Sequence, residues 1–122
     1  TQDSSSAASD VYKRQRLNLA EIGSLEFSAP DFEKYPALAL AYEVLNIGGL
    51  SGAVYNAAKE VALDAFIDRK IGFLAMADVV RGALDAVFDG PNTPLSEPSL
   101  ENILQMDQIG RLEAETKIQR VI

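Results

Sequence analysis

Apolar residues recur at helical spacing along most of this chain, broken at a few sharply defined points. From Pro36, a residue suited to a first helical turn, Leu38, Ala41, Tyr42 and Leu45 fall on one stripe at i, i+3, i+4 and i+7, with Val44 beside them. Gly48-Gly49 ends that helix. Ser51 reads as the N-cap of a second helix, with Leu50 and Tyr55 spaced as a hydrophobic staple. Its apolar positions, Val54, Ala57, Ala58, Val61, Ala62, Ala65 and Phe66, carry it to about Asp68. Arg69 and Lys70 then meet the negative end of the helix dipole. After the turn Ile71-Gly72-Phe73, a third helix runs from Leu74 to Phe88 with Met76, Val79, Val80, Ala83, Leu84 and Val87 inward. Gly90-Pro91 stops it, and 92–98 reads as a loop.

Beyond the loop, Ser99 caps a short helical turn holding Leu100, Ile103 and Leu104. Asp107 reads as a second N-cap, opening a terminal helix to about Arg120. Ile109, Leu112, Ile118 and Val121 turn inward there, and Glu113 pairs with Lys117 on the exposed side. The fold expected is all-α: a four-helix bundle over 35–122. Two segments precede it. Residues 16–34 supply Leu17, Leu19, Ile22, Leu25 and Phe27 but are interrupted by Gly23 and Pro30, so they read as an extended connector lying against a neighbour. Residues 1–15 are small and polar with no periodicity, and read as a disordered tail, either non-native or a flexible linker from an upstream domain, the non-native reading being preferred.

Composition narrows the functional classes. The 122 residues are 48% hydrophobic and 24% charged, which suits one globular core. A formal charge of −7 with no basic stripe argues against nucleic acid and against anionic membrane surfaces. No window has the roughly 20 apolar residues of a membrane span. Zero Cys removes thiolate chemistry, and zero His removes the commonest metal ligand and general base. A cytoplasmic setting fits this composition. Ser and Thr have no base to activate them.

The chain also resembles one enzyme family. Leu17-Asn18-Leu19-Ala20-Glu21-Ile22-Gly23-Ser24-Leu25-Glu26-Phe27, continued by Ser28-Ala29-Pro30-Asp31, is similar to the linker of 1-deoxy-D-xylulose 5-phosphate reductoisomerases. Tyr35-Pro36-Ala37-Leu38, the Gly48-Gly49 turn and Tyr55-Asn56-Ala57-Ala58-Lys59-Glu60-Val61-Ala62 follow in the family's order. Ala65-Phe66-Ile67 and Ile71-Gly72-Phe73-Leu74 come next, then Ser99-Leu100-Glu101 and Asp107 near Arg111. The likeness spans about 16–120 and points to the C-terminal helical domain. It implies a parent that turns 1-deoxy-D-xylulose 5-phosphate into 2-C-methyl-D-erythritol 4-phosphate, in non-mevalonate isoprenoid biosynthesis. NADPH and a divalent metal (Mg, Mn or Co) would serve that parent. Upstream NADPH-binding and catalytic domains would be this domain's partners, in a homodimer of the bacterial cytoplasm or a plastid.

No catalytic, cofactor-binding or metal-binding residue of the family carries over. No G-x-G-x-x-G loop occurs, and Lys59 stands where the family has Asn. Asn56 and Glu60 are the polar candidates, i and i+4 on an otherwise apolar helix. They read either as an active-site edge reached across a domain boundary or as structural groups bonding nearby backbone, and the structural reading is preferred. Asp64 with Asp68, and Glu113 with Glu115, read as solvated faces; Met76 and Met106 read as core filler. Tyr42 and Tyr55 read as packing residues with wet hydroxyls. The competing class is an independent helical module whose groove accepts a partner helix.

Overall fold

The computed structural model describes residues 16–89 and 97–122. The expected tail 1–15, the stop at Gly90-Pro91 and most of the 92–98 loop lie outside the described residues. Within them there are five helices and no strand: α1 (Leu19–Ile22), α2 (Pro36–Ile47), α3 (Ser51–Ile67), α4 (Ala75–Phe88) and α5 (Leu100–Val121). The all-α architecture with four long helices is the one the periodicity predicts. The chain divides into two compact units, Thr1–Pro30 and Asp31–Ile122.

In the first unit Ser24–Phe27 is non-helical, in keeping with its alternating pattern. The turn α1 was not foreseen. Asn18 makes it, its side-chain oxygen accepting from the amides of Ala20 at 3.2 Å and Glu21 at 3.4 Å. Gly23, at φ 75°, closes it.

In the second unit α3 is central, packing against α2, α4 and α5, while α4 also touches α2 and α5. The core is small and aliphatic: Leu40 and Val44 from α2, Val54, Ala58, Ala62 and Ala65 from α3, Val79, Val80, Ala83 and Leu84 from α4, and Met106, Ala114 and Ile118 from α5. Leu50 and Ile71 seal the turns at either end of α3. Arg69 ends α3 in the left-handed region at φ 59°, and the Lys70 amide reaches back to the Ala65 carbonyl at 2.8 Å.

Four expectations are corrected. On α2 the stripe Leu38, Tyr42 and Leu45 faces outward, with Leu45 76% exposed, while Leu40 and Val44 are the buried pair. Leu40 lies two residues from both Leu38 and Tyr42, about 200° around the axis, so the buried face is nearly opposite the stripe. Ser51 is not a cap. It is already helical, 0% exposed, and its hydroxyl points back to the carbonyls of Val44 at 3.0 Å and Gly48 at 2.7 Å. The last two helices are one. Asp107 does not open a new helix, because its carboxylate engages Arg111 one turn on rather than a free amide. Ser99 is the sole N-cap of α5, its hydroxyl accepting from the Asn102 amide at 3.1 Å. Finally, Leu112 and Val121 are exposed, and Glu113 forms no ion pair with Lys117 among the described residues. The buried line of α5 is Met106, Gly110, Ala114 and Ile118, spaced four apart.

Candidate functional site

The polar candidates meet where α3 crosses α5. Gly110 allows this crossing, because a Cβ there would sit 3.0 Å from the Cα and carbonyl oxygen of Val54 and 3.2 Å from the Ala57 Cβ. Buried Ala57 and Ala114 extend the same small-residue contact. With the backbones so near, Arg111, next to Gly110, reaches Glu60 on α3. Its Nη2 donates to Glu60 Oε2 at 2.5 Å, and its Nε donates to Asp107 Oδ2 at 2.8 Å. Asn56 Nδ2 donates to Glu60 Oε1 at 3.2 Å, and Lys59 Nζ donates to Asn56 Oδ1 at 3.2 Å. Asn56 and Glu60 do pair, but their partners are side chains, not the backbone the sequence suggested.

A second seam repeats the device. Arg81 of α4 bonds both carboxylate oxygens of Glu43 on α2, each at 2.6 Å, and lies 3.7 Å from Asp85 on its own helix. Each seam holds an Arg between a Glu of the facing helix and an Asp four residues away on its own.

The electrostatics follow from these contacts. The hydrogen bond from Arg111, its charge and the Asn56 amide hold the Glu60 carboxyl below its usual range. Arg81 does the same for Glu43 by hydrogen bonding, against a smaller cost of burial. Arg111 is raised, first by Asp107 and then by Glu60, and Arg81 is raised first by Glu43. A general acid needs the opposite shift, since it must still hold a proton near neutral pH. These clusters therefore clamp helices and are poorly suited to proton transfer. Among the described residues no three His, Cys, Asp or Glu side chains are grouped so as to hold a metal ion. Asp64 on α3 and Asp68 just past its end are exposed, and Lys70 pairs with Asp68 at 3.2 Å. No helix of the described residues is long and apolar enough to cross a membrane.

Met106 is in the core, whereas Met76 is half-buried beside it. Tyr42 is exposed and meets the edge of Phe32 at a centroid distance of 5.8 Å; Tyr55 is half-buried. Sequence reasoning missed both arginines. Each lies far along the chain from its Glu, and the only local signal was an Asp four residues away.

Bundle and seams together define a helical domain built from clamped helix pairs. The chain belongs to the family described as the DXP reductoisomerase C-terminal domain, whose model matches residues 6–113. The resemblance drawn from its sequence motifs therefore holds, and the match includes positions 6–15. The chain is 46% identical over 105 residues to the 1-deoxy-D-xylulose 5-phosphate reductoisomerase of Jannaschia sp., covering 86% of this chain and 27% of that protein. It is 53% identical over 100 residues to that of Cereibacter sphaeroides, covering 82% and 25%. A solved structure of the reductoisomerase of Zymomonas mobilis, in complex with NADPH, superposes with a TM-score of 0.72 at 41% identity, covering 84% of this chain and 26% of that one. The chain thus spans about a quarter of the length of the curated relatives it matches.

Proposed function

We propose that this chain serves as the C-terminal structural domain of an NADPH- and divalent-metal-dependent reductoisomerase that converts 1-deoxy-D-xylulose 5-phosphate to 2-C-methyl-D-erythritol 4-phosphate. By itself it is inactive. The observation that carries this reading is a family match over nearly the whole bundle, in relatives about four times its matched length. The described residues form no metal cluster, and the sequence has no dinucleotide loop, so both groups are assigned to other domains of the parent. The parent would be a homodimer of the bacterial cytoplasm, or of a plastid.

In this reading the bundle packs on the upstream domains and braces them, with 16–34 as the connector and the domain boundary near residue 35. Asn56 and Glu60 are structural: they tie α3 to α5 through Arg111 and leave no role for them at the reacting atoms. The outward stripe Leu38, Tyr42 and Leu45 supports the packing, since such a face gains most when covered. Bracing matters because misplacing catalytic groups by about 1 Å can cost two orders of magnitude in rate. The test mixes the chain with separately produced upstream domains and follows substrate-dependent NADPH consumption and melting temperature. Both are expected to rise. If both stay unchanged, bracing is wrong.

A further inference from the structure

Beneath α2, and meeting the Arg111 seam at Lys59, an apolar hollow opens between α2, α3 and α4. Its volume is about 250 Å³, and its walls include Leu40, Tyr55, Lys59, Ala62, Met76 and Ala77. A second hollow of about 130 Å³ shares Ala37, Met76 and Ala77 and ends at Lys34 and Phe73. Side by side they make a trough near the lower end of small-ligand clefts, roughly 300 Å³. Walls of Ala, Leu, Met and Val favour an aliphatic chain over water.

Charge selects the head of that chain. The protein has 18 acidic and 11 basic residues, yet the charged residues on these walls are Lys34 and Lys59, and no carboxylate lines either hollow. The Lys59 ammonium rests on a neutral amide oxygen, Asn56 Oδ1, a partner that an anion outcompetes. The adjacent Glu60 carboxylate feels the Lys59 charge but accepts its direct bonds from Arg111 and Asn56, not from Lys59. We propose that the trough binds a small amphiphile, an aliphatic chain with one anionic head, the chain lying over Ala62, Met76 and Ala77 and the head meeting Lys59.

The test titrates the full 122-residue chain with straight-chain carboxylates from butanoate to octanoate, following the methyl resonances of Ala62, Met76 and Ala77. Saturable shifts at these methyls are expected, tightening about fourfold per added methylene until the trough is full. Octylammonium should bind at least about tenfold more weakly than octanoate, because the head then meets like charge. Lys59→Gln, at an exposed position, should weaken octanoate roughly twofold to fivefold and leave 1-octanol unaffected. Ala77→Leu should weaken all three ligands. The proposal is overturned by equal binding of octanoate and octylammonium, or by an unchanged octanoate affinity in Lys59→Gln. It is also overturned if the same methyls shift when the chain is merely concentrated, since a second copy would then fill the trough.

Discussion

Ser51 is buried at the joint between α2 and α3, where its single hydroxyl proton is shared by the carbonyls of Val44 and Gly48. These carbonyls, at the end of α2, already accept the amides of Gly48 at 2.9 Å and Ser51 at 3.2 Å, so the hydroxyl adds a second bond to each. Ser51→Ala removes the donor and leaves the site just as dry. A loss of about 0.5–1.5 kcal/mol is expected, since both carbonyls keep their amide partners, seen as a melting temperature lower by roughly 4–8 °C per kcal/mol in a bundle of this size. An unchanged thermal midpoint by circular dichroism would refute that role. The sequence shows Ser51 clearly but misleads about its partner. A serine after a Gly-Gly break looks like a forward-facing cap, and only the tight turn, with Gly48 and Gly49 at φ 68° and 56°, brings the previous helix back over it. Asn56 and Glu60 were legible as a pair because i, i+4 spacing fixes their common face. Arg111 was not, since nothing local links it to a helix fifty-one residues away.

Among the elements, the crossing of α3 and α5 depends most on a single atom that is missing. A Cβ on Gly110 would strike the backbone of Val54, which cannot rotate away as a side chain can. Gly110→Ala gains up to about 1 kcal/mol in helix propensity but forces the helices apart, for a net loss of roughly 1–3 kcal/mol. Urea unfolding should show the lower stability with an unchanged slope; equal or greater stability would mean the helices can part freely. The same crossing explains why the inward line of α5 was misread. Large residues such as Leu112 attract attention as core, whereas a close crossing buries Gly110 and Ala114 and leaves Leu112 outside. On α2 the error has the opposite source. Its outward stripe is more apolar than its inward one, so periodicity finds the helix and assigns its faces in reverse. Boundaries fared better: Pro36, Gly48 and Ser99 act through backbone geometry or caps that need no tertiary partner.

For the whole molecule, the two seams tie stability to acid pH. Glu43 and Glu60 are both held below the usual carboxylate value of 4.5 by their arginines, so the unfolded chain takes up these protons more readily than the folded one. Their contribution is therefore complete above about pH 4.5 and drains away as pH falls from there through the lower folded values. Both pairs are partly exposed and screened, so the effect is modest for each. Chemical denaturation between pH 3 and 6 should show stability falling below about pH 4.5, and the double variant Glu43→Gln with Glu60→Gln should flatten that limb. An equally steep limb in the variant would place the acid sensitivity elsewhere.

The seams have a further consequence for how the molecule looks to anything approaching it. In each, one guanidinium faces two carboxylates, Arg111 with Glu60 and Asp107, Arg81 with Glu43 and Asp85; the Arg81 seam therefore carries a formal charge of −1, while Lys59 beside Asn56 brings the Arg111 seam to zero. The arginines are cancelled where they stand, and only the Arg81 junction is left with an anionic surplus. A polyanion meets repulsion at the Arg81 junction, and a basic or uncharged neighbour does not.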